Sequence, residues 1–184
     1  MKEEKKENIT KKINGTIKSN ITYEEFKKVF KVFESYPYFE KFIEQEIIDE
    51  YQSFQNGGNS YGYYTEEGEC VAIITNYPYK PGEHPVDYPK DLKVMYLAHL
   101  ATMFEYRNQG IASKLFKHVI QQTEELGYDY IYYRTKKENS MSHSIGKKFG
   151  FTELPNIIQY IEYKKQDGSV INDPRIFLEK KLSK

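Results

Sequence analysis

The sequence has one cysteine, Cys70, no tryptophan, and no apolar run near the ~18 residues that a membrane-crossing helix needs. A single thiol closes no intrachain disulfide and suits a reducing compartment, and with four histidines it builds no Cys/His cluster of metal-ligand spacing. An excess of either charge is lacking too. Lys plus Arg and Asp plus Glu both total 27, so bulk electrostatics give no reason to expect a nucleic-acid partner. No hydrophobic segment follows the charged start MKEEKKENITKK, so neither a membrane anchor nor a signal peptide is expected, and the chain reads as soluble and cytoplasmic. That mixed-charge start, residues 1–12, reads as a frayed end before a single domain over 13–184. A chain of 184 residues can remove roughly 70% of its unfolded surface from water, and no repeat or low-complexity linker divides it.

What is abundant is tyrosine and phenylalanine, 18 and 11 of them. A tyrosine packs its ring while its hydroxyl stays hydrated, so these residues can half-cover a sheet or line a cleft.

Along the chain, a short strand is expected at 14–19. A helix then opens on Thr22-Tyr23-Glu24-Glu25, which has capping-box spacing, carries Phe26, Val29, Phe30 and Phe33 on one face, and stops at Tyr36-Pro37. A second helix is read from Phe39 to Phe54, ended by Gly57-Gly58. Ser60–Thr65 and Cys70–Tyr77 form a hairpin whose second arm, CVAIITNY, is apolar enough to be buried. The proline-rich stretch from Pro78 to Asp91 reads as a surface loop; its Glu83, His84 and Asp87 either attract a cationic amine or touch no ligand. A strand over Leu92–Phe104, a helix over Gly110–Leu126 and a strand over Tyr128–Thr135 give a parallel crossover. A short helix over Asn139–Phe149 and strands over Ile157–Tyr163 and Arg175–Leu182 complete an α/β or α+β order with a mixed sheet.

The segment with chemical content is LAHLATMFEYRNQGIASKL, residues 97–115. It is an apolar strand, then Arg107-Asn108-Gln109-Gly110-Ile111-Ala112, then an amphipathic helix. A glycine at such a turn lets backbone approach a ligand, and the unpaired N–H groups of a helix N-terminus favour an anion such as phosphate. A P-loop lysine and a three-glycine dinucleotide fingerprint are both missing. A second segment, NSMSHSIGKKFGF at 139–151, follows at a meaningful distance.

Together these segments resemble the GNAT superfamily of acyl-CoA-dependent N-acyltransferases, whose phosphate signature Gln/Arg-x-x-Gly-x-Gly/Ala is matched by Arg107, Gly110 and Ala112. The resemblance implies a mixed, mostly antiparallel sheet flanked by helices, with the parallel crossover at the acyl-CoA site. It implies acetyl-CoA as acyl donor, no metal, and a small-molecule or peptide amine as acceptor, attacked directly in a ternary complex. Backbone amides of Gln109, Gly110, Ile111, Ala112 and Ser113 would hold the pyrophosphate. Main-chain groups of Leu100 and Thr102 would meet pantetheine and thioester. Asn139 would meet the pantetheine arm, cap its helix, or do both. Arg107 either pairs with a phosphate or makes a structural ion pair. Pairing of the last strands across a homodimer axis is a further implication.

The chain departs from the family where a tyrosine often serves as the acid, four residues before the glycine of Gly-Phe; that position is Gly146. His143 and Ser142 are the substitutes on the same helix. For the base, the residues in place are His99, Tyr96 and Glu105, and a regular strand cannot turn both Tyr96 and His99 into one cleft without a bulge. Competing readings are an acyl-CoA-binding GNAT-fold protein with weak turnover, and an interaction protein in which the turn is incidental.

Overall fold

The computed structural model describes residues 13–35, 42–164 and 168–183. Expectations for residues 1–12, and for a second helix starting at Phe39, lie outside them. In chain order the elements are β1 (Gly15–Ser19), α1 (Tyr23–Phe30), α2 (Glu44–Ser53), β2 (Asn59–Thr65), β3 (Cys70–Pro78), β4 (Val94–Thr102), α3 (Ile111–Glu125), β5 (Tyr130–Lys136), α4 (Ser140–Lys148), β6 (Thr152–Lys164) and β7 (Val170–Lys181).

The seven strands make one sheet in the order β1-β2-β3-β4-β5-β7-β6. Every neighbouring pair is antiparallel except β4 with β5, which α3 connects as a parallel crossover. One face carries Val71, Met95, Leu97, Ile131, Tyr133 and Leu178 under Leu115, Phe116 and Val119 of α3. The opposite face carries Ile73, Tyr77, Tyr96, Tyr132 and Phe177 under Phe26, Val29 and Phe30 of α1 and Ile47 of α2. Coverage on both faces explains the unbroken apolar run of β3, buried from Cys70 to Tyr77. Among the described residues no helix is long and apolar enough to cross a membrane.

Local chemistry sets the helix ends. Thr22 and Glu25 form the expected capping box, the Glu25 carboxylate accepting the Thr22 N–H at 2.7 Å. The first helix is shorter than its apolar stripe suggests: it tightens into a 3₁₀ turn over Lys31–Ser35. The second begins at Glu44, because Glu46 accepts the Ile43 N–H at 2.9 Å and Glu34 accepts the Phe42 N–H at 3.0 Å, leaving both residues ahead of the first helical turn.

The proline-rich loop is partly structural. Its His84 and Val86 are buried, plugging the end of the α1/α2-side core. His84 hydrogen-bonds through Nδ1 with the Tyr132 hydroxyl at 2.9 Å, with its ring 4.4 Å from that of Tyr96. Glu83 accepts a hydrogen bond from the Tyr77 hydroxyl at 2.7 Å. Burial, reinforced by the Arg134 charge and only partly opposed by Glu83, pulls the His84 pKa down from 6.5 to about 4. The unfolded chain therefore takes this proton first as the pH drops. Stability from His84 is full above about pH 6.5 and is lost progressively toward pH 4, by up to roughly 3 kcal/mol. In urea titrations His84→Phe should remove this part of the acid sensitivity; an unchanged pH profile between 6.5 and 4 would show that the plug does not act this way.

Candidate active site

The site begins where the sheet comes apart. Strands β4 and β5 pair only from Val94↔Tyr130 to Leu97↔Tyr133, yet β4 continues to Thr102 while β5 continues to Lys136 along β7. Beyond Leu97 the two strands fork, and the β4 edge that faces the fork has no ladder partner. The alternation of β4 tells which groups point there. Met103 N–H bonds to Val71 C=O at 2.9 Å, so Met103 and Ala101 direct their backbone groups toward β3, and Leu100 and Thr102 direct theirs into the fork. Apart from the Thr102 C=O, which Arg107 engages, these unladdered backbone groups are a ready template for an extended ligand.

The phosphate-type turn closes the fork at the end of β4. A 3₁₀ turn over Phe104–Tyr106 leads into Asn108 (φ 61°) and Gly110 (φ 76°, ψ 7°), both left-handed. Gly110 is the residue before α3, and a Cβ built on it would meet nothing within 4 Å. The glycine is thus required by its φ, and the space before it is open. The first helical bond runs from Lys114 N–H to Gly110 C=O at 3.0 Å, so the N–H groups of Ile111, Ala112 and Ser113 precede it and sit at the positive end of the helix. Lys114 and Lys148 add charge beside them; Lys148 Nζ reaches Ser113 Oγ at 3.5 Å from the end of α4.

Side chains of the motif brace this turn. Arg107 donates from Nε to Thr102 C=O at 3.1 Å and stacks its guanidinium 3.8 Å from the Phe104 ring centroid. Gln109 accepts the Ile13 N–H on its Oε1 at 3.0 Å, and Tyr106 donates to Glu69 at 2.8 Å. Glu105 is exposed.

On the opposite face of β4 stands His99. The β3–β4 register slips between Ile74 and Asn76, with Ile74 opposite Leu100 and Asn76 opposite Leu97, which is a bulge on β4. The bulge turns His99 to the same face as Tyr96, where Phe26, Phe30 and Phe54 ring it edge-on at 5.4–6.4 Å. Nδ1 lies 2.8 Å from Thr75 Oγ1, and Nε2 lies 2.9 Å from a carboxylate oxygen of Glu50 on α2. The His99 backbone N–H also bonds Thr75 Oγ1, at 3.3 Å. Burial pulls the Glu50 carboxyl up, but the His99 hydrogen bond and the charges of His99 and Arg134 outweigh it and hold it below the usual carboxylate range. Glu50 therefore stays ionised and orients the imidazole.

Tyr96 occupies a different environment. It is buried against Tyr77, His84 and Tyr132, and burial raises its pKa, so at neutral pH it is a phenol with no capacity to take a proton. Of the two strand residues singled out from the sequence, His99 is the one in contact with a carboxylate. Glu50 and Thr75 carry no local signal, lying 49 and 24 residues from His99 in the chain.

Helix α4 supplies the far wall. Asn139 caps it, its Oδ1 accepting the Ser142 N–H at 3.1 Å. His143 contacts Lys136 C=O through Nε2 at 3.3 Å, and the Ser142 carbonyl accepts the Tyr133 hydroxyl at 2.9 Å. The glycine at position 146 now has a cause: a Cβ there would lie 2.1 Å from the buried Tyr133 hydroxyl. A hydroxyl from β5 fills the space at the root of the absent side chain.

The profile of the acetyltransferase (GNAT) family matches residues 21–151, more than half of the chain, and the protein belongs to that family. No curated protein sequence matches it. Among solved structures it is similar to the ribosomal-protein-S18-alanine N-acetyltransferase from Escherichia coli at 18% identity and TM-score 0.66, covering 93% of this chain and 96% of that one. It is similar to an N-acetyltransferase from Staphylococcus aureus Mu50 at 18% identity and TM-score 0.68, covering 92% and 99%. The NatC complex bound to Gag peptide and CoA contains a chain similar at 18% identity and TM-score 0.63, covering 91% and 99%. At these identities the likeness is one of fold.

Gly146→Ala should destabilise the protein by about 1–3 kcal/mol in denaturant midpoints, through overpacking against Tyr133. In a Tyr133→Phe background most of that cost should vanish, since alanine is the better helix former. Equal costs in both backgrounds would show that the hydroxyl is not what excludes a side chain.

Proposed function

We propose that the protein is an N-acetyltransferase that moves an acetyl group from acetyl-CoA to a primary amine of a small molecule or peptide, by direct attack in a ternary complex. The observation that carries this reading is the pairing of two features at one fork: the left-handed Gly110 cradle at its open end, and the His99–Glu50 pair on the β4 wall.

The residues present fit the donor. N–H groups of Gly110 to Ser113, with Lys114 and Lys148 nearby, suit a pyrophosphate, and the Leu100 backbone and Thr102 N–H suit the amide-bearing pantetheine arm, with Asn139 at the start of α4 a further contact for it. A main-chain donor near Leu100 polarises the thioester carbonyl and stabilises the oxyanion that forms when the amine attacks. The role of Arg107 is to hold the turn through Thr102 and Phe104, with its charge close to the cradle.

His99 is the general base. An entering ammonium displaces the direct contact of His99 Nε2 with Glu50 and donates one hydrogen to each of them, in the tautomer whose proton lies on Nδ1 and is donated to Thr75 Oγ1. His99 takes the proton, Glu50 stabilises the resulting imidazolium, and the freed lone pair forms the C–N bond as the C–S bond breaks. The departing thiolate is protonated by solvent or by a group on the α4 wall, since Gly146 offers none.

The tests are a thermal shift with acetyl-CoA and thiol release with a panel of amines. Wild-type protein should be stabilised by acetyl-CoA, and Gly110→Val should abolish the shift, its Cβ projecting into the open space of the cradle. His99→Gln should keep the shift and lose about 100-fold or more in kcat, the usual scale of general-base loss. No shift at millimolar acetyl-CoA would refute the acyl-donor reading. A shift without thiol release for any amine would instead favour an acyl-CoA-binding protein.

A further inference from the structure

The turn that leads into the cradle has little backbone support of its own. Between the end of β4 and Gly110 it is held by 3₁₀-type bonds, from Tyr106 N–H to Met103 C=O at 3.0 Å and from Arg107 N–H to Phe104 C=O at 3.2 Å. Phe104 and Glu105 are exposed, and Asn108 and Gly110 lie in the left-handed region. A ligand that needs the N–H groups of Ile111 to Ser113 aimed in one direction binds more tightly when such a turn is fixed beforehand. Side chains supply the rest of the bracing, and one of them reaches the turn from another part of the sheet.

Glu69 stands at the end of the β2–β3 hairpin, immediately before Cys70. The hairpin sets its backbone: Thr65 N–H donates to Glu69 C=O at 2.9 Å, and Glu69 N–H donates to Thr65 Oγ1 at 3.3 Å. From there its carboxylate accepts from two different elements. Oε2 accepts the Tyr106 hydroxyl at 2.8 Å, and Oε1 accepts Lys28 Nζ of α1 at 2.6 Å. The Tyr106 ring packs against the α3-face core, whereas α1 packs on the opposite face, so this carboxylate joins both sides of the sheet at its cradle end. The Lys28 and Tyr106 hydrogen bonds hold the Glu69 carboxyl below the usual carboxylate range, and the bond to Glu69 pushes the Tyr106 hydroxyl up to about 12. At neutral pH the acceptor is therefore charged and the donor keeps its proton, the strong form of such a contact.

We infer that Glu69 is a positioning residue for the acyl donor: it fixes Tyr106, and through Tyr106 the turn before Gly110, while Lys28 fixes Glu69. This rests on reading the cradle as the acetyl-CoA site. The effect falls on donor affinity and not on the chemical step, because these groups brace the turn and not the His99–Glu50 pair. Lys28, on a helix of the opposite face from α3, influences donor binding only through Glu69.

The experiment is calorimetric titration of CoA into the full chain, with thiol release at varied acetyl-CoA to separate KM from kcat. Lys28 is exposed and Glu69 and Tyr106 are half-buried, so substitutions at these positions leave the core intact. Glu69→Ala should weaken CoA binding by about 3–10-fold, the scale of one partly exposed hydrogen bond to a charged group, and raise the KM for acetyl-CoA to match with kcat unchanged. Tyr106→Phe should do the same, and the double variant should be no weaker than either single one, as expected when both remove one interaction. Lys28→Met should cost a smaller factor in the wild-type background and nothing in Glu69→Ala. Glu69→Gln, whose amide oxygen still accepts from Tyr106, should recover part of the affinity. CoA affinity within about 2-fold of wild type in Glu69→Ala, additive losses in the double variant, or a loss carried by kcat with KM unchanged overturns the proposal. Failure of the wild type to bind CoA is a separate outcome, and it overturns the acyl-donor reading instead.

Discussion

A parallel pair that stops at Leu97↔Tyr133 while both strands run on is an unusual arrangement for the interior of a sheet, because it strands backbone hydrogen-bonding groups between two layers of helix. The other features of the site depend on that divergence. It is held open from both sides: β4 stays anchored to β3 as far as Thr102, and β5 stays anchored to β7 as far as Lys136. The strands cannot rejoin without surrendering one of those ladders. The cradle at Gly110 and the histidine on the bulge are then two uses of the same opening, one at its end and one on its wall.

The aromatic wealth of the chain finds its explanation in this geometry. Tyr77, Tyr79, Tyr88, Tyr96 and Tyr132 form a contiguous stack with His84 on the α1/α2 face, and most of these hydroxyls bond to a neighbour instead of water. A sheet that forks needs rigid, wide side chains to support the strands on either side, and rings supply that at low conformational cost. Tyr133 does the same on the other face, at the expense of any side chain at position 146.

Much of this was legible in the sequence where the signal is local. The capping box at Thr22–Glu25, the buried run of β3 and the glycine turn at 107–112 each declare themselves within a few residues, and the element order follows from them. What was not legible depends on distant partners. The start of α2 is decided by Glu34 and Glu46, which periodicity does not see. A proline-rich stretch looks like surface, yet His84 and Val86 are core residues because they meet β4, β5 and β7 from outside. His99 could be singled out by residue type, but its bulge and its links to Thr75 and Glu50 arise only when β3, β4 and α2 are assembled.

The Ile13 N–H donates to Gln109 Oε1 at 3.0 Å. It ties the segment ahead of β1 to the turn that precedes α3, joining two stretches 96 residues apart in the chain. That segment is therefore a strut for the cradle as well as a lead-in to the sheet. Shortening the protein to begin at β1, or loading its N-terminal end with a bulky fusion, acts on the loop geometry around Gly110 without touching a residue of the motif.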